Sequence, residues 1–523
     1  MTSISPLFFL SSINIVIVLV GLCGVATLSN NLLALAAPIS PPDATTCGPA
    51  DLPSGANSTD CCPPSSTNII DFKFPSSTQK LRVRQAAHLV NSDYIAKYKK
   101  AVALMKALPS NDPRSFYQQA NVHCAYCDAA YHQVGYPNLE LDIHNSWLFF
   151  PWHRWYTYFH EKILGSLIND TTFALPFWNY DAPRGMQIPS IYTDPKSPLY
   201  DILRNPNHQP PKLIDLDYNL MEDPNVSVSA NLAIMYRQVV SNGKTPTLFF
   251  GRAYRAGDKP DPGAGSVENV PHGPVHIWTG DLNQPNIEDM GNFYSAARDP
   301  IFFAHHSNID RIWTIWKTFG GKRKDITDSD WLESGFIFYD ENKNLVRVKV
   351  KDSLDTKRLG YVYQDVDIPW LHAKPTPGRA KVQNKRNTSV EFPLVLDSVV
   401  STVVERPKKS RSKKEKEEEE EVLVIEGIKY DGLLPVKFDV LINSEDDKVI
   451  KPDNAHFAGS FVSVPHSPRH KKKKTNTYLR LALTDLLEDL GADDDESVVV
   501  TLVPRYGKGK VKIGGINIQL IDD

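Results

Sequence analysis

Six of the fifteen histidines fall into two groups of three: His123, His144 and His153, then His272, His276 and His306. Neutral imidazole is the commonest metal ligand and suits copper, zinc, iron and nickel. Two such triplets hold two metal ions without any charged ligand. A pair of that kind can bind and activate dioxygen between the ions. Zinc also accepts imidazole, but paired triplets without carboxylates favour a redox metal.

The spacing says how the chain presents these rings. His272-Gly-Pro-Val-His276 puts two imidazoles at i and i+4, on one face of a helix. Further on comes Asp299-Pro300-Ile301-Phe302-Phe303-Ala304-His305-His306, followed by Asn308 and Asp310. Pro300 can open a helix there, with Asp299 as its N-cap. Asp310, one turn past His306, reads either as a carboxylate that steadies a ligand or as the ion-pair partner of Arg311 or another cation. Upstream, Asn121-Val-His123-Cys124-Ala-Tyr126-Cys127, Leu141-Asp-Ile-His144-Asn145 and Phe149-Phe150-Pro151-Trp152-His153-Arg154-Trp155 frame each histidine in large apolar residues. Any one of them alone reads as a core histidine; as a set they read as ligands.

Helices must carry most of these residues. Tyr94, Tyr98, Val102, Leu104 and Met105 recur near a 3.6-residue period, Leu148 to Ile168 forms a second apolar-aromatic helix, and helical character returns over 231–240 and 300–319. Phe173 to about residue 225 is Pro-rich and reads as ordered loop. After residue 335 the texture turns to alternation. Phe336–Tyr339 and Val346–Val350 come first, then strand-like runs over 392–404, 422–428, 436–442, 498–503 and 513–520. The fold class that follows is a mainly α catalytic domain, a helical bundle with long loops, and then a small all-β C-terminal domain.

The 523 residues suffice for two or three domains, and 41% hydrophobic with 23% charged residues is ordinary for a globular chain. A net charge of −3 gives no electrostatic footprint for nucleic acid. No Lys or Arg precedes Lys73, Ile13 to Leu28 is apolar, and Ala34-Leu35-Ala36 resembles a cleavage site. Residues 1–36 therefore read as a removable targeting segment, with a membrane anchor as the alternative. Residues 37–83 form a Pro- and Ser-rich arm with cysteines, 84–365 the catalytic domain, 366–388 an exposed and cleavable linker, and 389–523 the β-domain. The basic-then-acidic run Lys408–Glu421 reads as a solvated, disordered hairpin tip, and the lysines at 471–474 as a solvated loop. Cys23 falls in the removable segment, so the five cysteines at 47, 61, 62, 124 and 127 leave one outside disulfides. Sequons at Asn57, Asn169, Asn225 and Asn387 weakly favour an exported glycoprotein.

Together these segments resemble the two copper-binding regions of plant polyphenol oxidases, the catechol oxidase and tyrosinase family. The likeness rests on His123-Cys-Ala-Tyr-Cys127, Phe150-Pro-Trp-His153-Arg-Trp, His272-x3-His276-Ile-Trp-Thr-Gly and Asp299-Pro-x-Phe-x3-His306-x3-Asp310. Asp330-Trp331-Leu332, Tyr361-Val-Tyr363 and Lys437-Phe438-Asp439-Val440 resemble the family's later signatures. The resemblance implies two copper ions, copper A on His123, His144 and His153 and copper B on His272, His276 and His306. Of the adjacent His305 and His306, whose side chains diverge by about 100° on a helix, it implies the second. It implies disulfides Cys47–Cys62 and Cys61–Cys124 and a thioether between Cys127 and His144; a free buried thiol is the other reading of Cys127. Glu268 matches a carboxylate that holds water, with a solvated loop carboxylate as the alternative. Phe293 matches an aromatic cover on the copper B side, with plain core as the alternative. The implied activity is oxidation of o-diphenols to o-quinones with reduction of O2 to water, in a latent proenzyme whose C-terminal domain shields the site until a protease acts. Small phenols and O2 are the implied partners, with no nucleic acid and no stable membrane span. Gly273, where the family's hydroxylating members carry an Asn, tilts the expectation from monophenol hydroxylation towards diphenol oxidation. A hemocyanin-like O2 carrier is the alternative class. The missing arginines near the start point to the secretory pathway, with vacuolar or extracellular delivery, and to the plastid thylakoid lumen as the alternative.

Overall fold

A computed structural model describes residues 37–56, 59–76, 78–218, 224–376, 390–446, 448, 450–466 and 475–522. The targeting segment 1–36, the lysines at 471–474, and the sequon residues Asn57 and Asn387 lie outside them.

An arm with the short strand β1 (Ile69–Asp71) leads to β2 (Arg82–Arg84) and the helices α1 (Ser92–Lys106) and α2 (Phe116–Cys127). Asn91 caps α1 by accepting from the Tyr94 N–H, and Ser115 caps α2 by accepting from Gln118. Tyr98, Ala101, Val102 and Met105 give α1 its buried face at helical spacing. The ribbon β3 (His132–Gln133) and β4 (Tyr136–Glu140) precedes α3 (Phe149–Leu167), which is buried on nearly every side. The Pro-rich stretch that follows is loop with single turns. It leads to α4 (Pro224–Tyr236), α5 (Pro246–Phe250), α6 (Gly273–Thr279) and α7 (Ile301–Trp316). Asp299 receives the Ile301 N–H at 2.9 Å, so it caps α7 as its sequence predicts. Helix α8 (Ser329–Glu333) precedes the strands β5 (Gly335–Tyr339), β6 (Leu345–Lys349) and β7 (Tyr361–Tyr363). These pair back to the arm, with β1 parallel to β6 and β2 parallel to β7.

The C-terminal part is a β-sandwich. Its strands are β8 (Leu394–Val395), β9 (Val400–Glu405), β10 (Glu420–Tyr430), β11 (Val436–Ile442), β12 (Phe457–Ser463), β13 (Thr475–Ala482), β14 (Ser497–Tyr506), β15 (Lys512–Ile513) and β16 (Gly515–Ile521), with helices α9 (Lys413–Glu418) and α10 (Thr484–Asp489). One sheet has the order β12-β11-β14-β9. The other runs β13-β10-β15-β8, with β16 also on β10. Strand alternation divides labour. Leu423, Ile425, Phe438 and Val440 build the sandwich core. Their neighbours point the other way: Val422 and Val424 pack with Leu248 of the helical part, and Leu441 joins the large helical core. The two parts therefore share a continuous apolar seam.

Two expectations change. The run Lys408–Glu421 is ordered: Ser412 and Glu415 form a capping box that starts α9. Glu421 is buried in a bidentate pair with Arg406 at 2.8 and 2.9 Å, and Glu420 meets Lys244 at 3.0 Å. Burial against arginine, invisible in a charge count, orders it. The described start of the 366–388 linker is also anchored. Trp370 is buried and donates to Asp181 at 2.8 Å, and Thr376 bridges to Asn454. Residues 377–389 lie outside the described chain. Finally, Asn169 takes a left-handed conformation (φ 54°) just past the end of α3, a common role for Asn at a helix C-terminus.

Candidate metal centre

His123 comes from α2, His153 from the first turns of α3, and His144 from the loop before α3. His272 closes a wide turn, Glu268–His272, in which Val270 leaves the helical region. His276 lies on α6, and His305 and His306 on α7. All seven are buried. Their ligand-capable nitrogens form two groups, His123, His144 and His153, and His272, His276, His305 and His306. Within each group these atoms lie within 4.8 Å of one another.

Backbone carbonyls fix four of the rings. Nδ1 of His123 meets the Phe293 carbonyl at 2.9 Å, and that of His153 the Phe149 carbonyl at 2.8 Å. Nδ1 of His272 meets the Glu268 carbonyl at 3.0 Å, and that of His276 the Met290 carbonyl at 2.7 Å. A carbonyl only accepts, so each Nδ1 carries the proton and each Nε2 is left with a lone pair. Among the described residues, Nε2 of His123 and His153 has no hydrogen-bond partner. Nε2 of His272 and His276 face each other at 3.1 Å, two lone pairs that only a cation between them reconciles. Burial, before any other cause, keeps the rings neutral: it lowers His123 to about 3 and His276 to about 4, and takes His144, His153, His272 and His306 well below the usual histidine value. Neutral, nitrogen-only, pre-aimed donors fit copper.

His306 stacks on His153 at 4.0 Å between centroids and 5° between planes, so it joins the two groups. His305 stacks on His272 at 5.3 Å and touches Tyr180 at 5.6 Å. Sequence reasoning set His305 aside; the structure brings it to the same cluster as His306.

Helices α3 and α7 are held in register by Asp310. It pairs with Arg154, next to His153, and with Arg84, and it accepts from Tyr361 (2.7 Å) and Tyr363. Arg311 pairs with Asp181 instead, at 3.0 Å. Of the two readings of Asp310, ion pairing therefore holds, with arginines other than Arg311. Trp331 donates to the Trp147 carbonyl at 2.8 Å, which anchors the loop that carries His144.

Glu268 is buried, 3% exposed, and not a solvated loop carboxylate. Its Oε1 accepts from the Asn145 N–H at 2.5 Å, and among the described residues its Oε2 has no partner. Burial raises its carboxyl well above the usual range. Phe293, expected over the second triplet, lies face to face with His144 of the first, at 4.0 Å and 11°. It meets His276 only edge-on at 6.2 Å. Its peptide N–H, held by the C-terminal part, fixes this placement: it donates to the Pro465 carbonyl at 3.2 Å. Cys127 is a buried free thiol among the described residues, grouped with His144 and Asp142. Disulfides join Cys47 to Cys62 and Cys61 to Cys124.

Asn145, Glu268, His272, Gly273 and Phe293 line a small cavity, closed from the other side by Val462, Val464 and His466. A Cβ added at Gly273 would lie 3.3 Å from Val462. Asn269 grips β12 in both directions, donating to Ser460 at 2.5 Å and accepting from Val462 at 3.0 Å. Sequence reasoning missed these cover residues. Their one signal was the alternation of Lys437-Phe438-Asp439-Val440. Phe438 and Val440 face the sandwich, while Lys437 and Asp439 face the helical part.

Comparison with known proteins agrees with this geometry. The common central domain of tyrosinase matches residues 113–318, the polyphenol oxidase middle domain 325–376, and the chloroplastic polyphenol oxidase C-terminal domain 392–520. The chain is 65% identical to a chloroplastic polyphenol oxidase of Malus domestica, over 97% of this chain and 88% of that one. It is 56% identical to an aureusidin synthase of Antirrhinum majus, over 92% and 89%. A solved latent apple tyrosinase superposes with TM-score 0.83 at 66% identity, covering 87% of this chain and all of that one. A latent aurone synthase superposes with TM-score 0.88 at 43% identity, covering 93% and 99%. These relatives overturn the secretory expectation. Those from Malus domestica, Vicia faba and Vitis vinifera are named chloroplastic, and the lack of early arginines was too local a signal to outweigh likeness along nearly the whole chain. The chain carries the C-terminal domain of these relatives and belongs to the plant polyphenol oxidases of the tyrosinase family, oxidoreductases with a dicopper centre.

Proposed function

We propose that this protein oxidises catechols to o-quinones with dioxygen as acceptor, and that His123, His144 and His153 would hold one copper and His272, His276 and His306 the other. The observation that carries this reading is the set of buried, neutral imidazoles whose protonated Nδ1 atoms are tied to carbonyls, so that Nε2 is left for metal. Two coppers held there would supply one-electron exchange with dioxygen and Lewis acidity towards a phenol oxygen. Each catechol gives up two electrons and two protons, so two catechols reduce one O2 to two waters. The chain's own residues do the rest. Phe293 and His272 wall the cavity with flat rings that admit an aromatic substrate. Glu268 is the carboxylate among the described residues that line the cavity, and its Oε2, which has no hydrogen-bond partner among them, would take the phenol proton. Val462, Val464 and His466 keep substrate out until the cover moves, and proteolysis within 366–388 is the proposed trigger. The plastid, with the thylakoid lumen as a disulfide-tolerant compartment, is the proposed location.

A second reading, hydroxylation of monophenols, draws support from Glu268 and from the likeness to a protein named a tyrosinase. Gly273 supports the first, because it offers no amide to orient a water. Side-by-side turnover of tyramine and dopamine by the copper-loaded chain, before and after protease treatment, tests both. Dopamine oxidation with little tyramine conversion is expected. Comparable rates would favour the second reading, and no turnover of either would overturn both.

A further inference from the structure

We propose that Asn145 is a positioning residue that aims Glu268 at the substrate cavity. Asn145 follows His144 directly and sits in the left-handed region, φ 52°. Outside glycine, asparagine is among the residues that adopt this conformation most readily. The turn is pinned on both sides of its peptide. The Asn145 N–H donates to Glu268 Oε1 at 2.5 Å, and the Asn145 carbonyl accepts from the Gly263 N–H at 2.8 Å. The loop is fixed upstream by the His144 N–H on Asp142 (2.9 Å) and downstream by the Trp147 N–H on the Arg252 carbonyl (3.0 Å).

The consequence is geometric. One residue beyond a first-triplet histidine, the chain grips the segment Gly263–Glu268 that leads into His272. It holds one oxygen of Glu268, the other has no hydrogen-bond partner among the described residues, and Glu268 and Asn145 line the same cavity. In extended or right-handed backbone at 145 the N–H would point elsewhere, and Glu268 would lose this bond, with the Gly265 backbone left as a partner. The bond to Glu268 comes from the backbone, so tolerance of positive φ governs it, while the side-chain amide of Asn145 serves a different partner, the buried Asp261.

The proposal rests on the reading of Glu268 as the group that takes the phenol proton, and the test separates the two. Copper-loaded full-length Asn145→Val, Asn145→Gly, Glu268→Gln and Asn145→Val/Glu268→Gln are compared for copper content and for kcat and KM on dopamine, before and after protease treatment. Valine resists positive φ and glycine accepts it. The expected result is two coppers in every variant. For Asn145→Val, kcat falls about ten- to a hundred-fold with KM little changed, most of the rate returns in Asn145→Gly, and the double variant is no worse than the poorer single one. Copper loss in Asn145→Val, equal defects in the glycine and valine variants, or additive defects in the double variant would overturn the role of Asn145. A normal kcat in Glu268→Gln would instead overturn the reading of Glu268.

Discussion

Lys437, on the sandwich, donates to Asp217, on the helical part, at 3.1 Å, and both are buried. Lys437 also meets Asp439 at 2.5 Å, Arg505 meets Asp439 at 2.6 Å, and the Ser460 hydroxyl donates to both aspartates. The cover over the candidate copper site is thus tied down by charge as well as by apolar contact. Lys437→Met removes the cation shared by the two buried carboxyls and leaves Arg505 as the cation on Asp439. Breaking a buried pair from one side costs about 3–5 kcal/mol. A lower melting temperature and a raised dopamine oxidation rate of the untreated full-length chain are expected. A variant that melts and turns over like the parent would remove the seam from the account of latency.

At Gly273 the structure supplies a second reason for glycine. A Cβ there would press on Val462 at 3.3 Å and approach Val464 at 3.7 Å. Gly273→Asn is therefore expected to loosen the cover and to add an amide near Glu268. Both untreated activity and the tyramine-to-dopamine rate ratio should rise. A rise in the first alone would assign Gly273 to cover packing only.

Cys127 lies with His144 in one group, and burial raises its thiol well above the usual cysteine value. A thioether would hold His144 before metal arrives. Peptide mapping of the copper-loaded chain is expected to find the Cys127 peptide joined to the His144 peptide, lighter by two hydrogens. Cys127→Ser should weaken copper affinity by about 10–100-fold, the usual effect of losing a ligand-orienting contact. Separate, full-mass peptides would show a plain thiol.

Asp289, one residue before the Met290 carbonyl that holds His276, has its carboxyl pushed up to about 9, by burial first and then by Asp201. Its unfolded value is about 3.9. A raised folded value stabilises the protein fully below the unfolded value, and that contribution falls as pH rises towards about 9. The buried imidazoles, held below their usual value, oppose this trend below about pH 6.5, so thermal melts from about pH 7 to about 9 should slope downwards with pH, and Asp289→Asn should flatten that slope. An unchanged slope would place the pH dependence in other groups.

Much of the site was legible because ligand spacing and helix periodicity coincide. His276, four residues after His272, and His306, one turn before Asp310, could be placed on helices by counting, while His272 itself closes the turn that precedes α6. The contacts that run between elements could not. No local pattern says that Phe293 turns its face to His144, since that depends on Pro465, far along the chain. Asp310 reaches Arg154 and Tyr361 rather than its neighbour Arg311, because the packing of α3 on α7 decides which cation is buried with it. Strands β12 and β13 were missed, as Phe457–Ser463 mixes glycine and serine into its buried face. The run at Lys408–Glu421 misled because burial against Arg406 outweighs composition.

Two coppers on the two histidine triplets should act as one oxidising centre. Oxygen uptake per quinone formed is to be followed while the metal-free chain is titrated with copper. Catechol-dependent uptake should saturate at two coppers per chain, with one O2 consumed for every two quinones and little activity at one copper. Full activity at a single copper, or quinone formation without oxygen uptake, would contradict it.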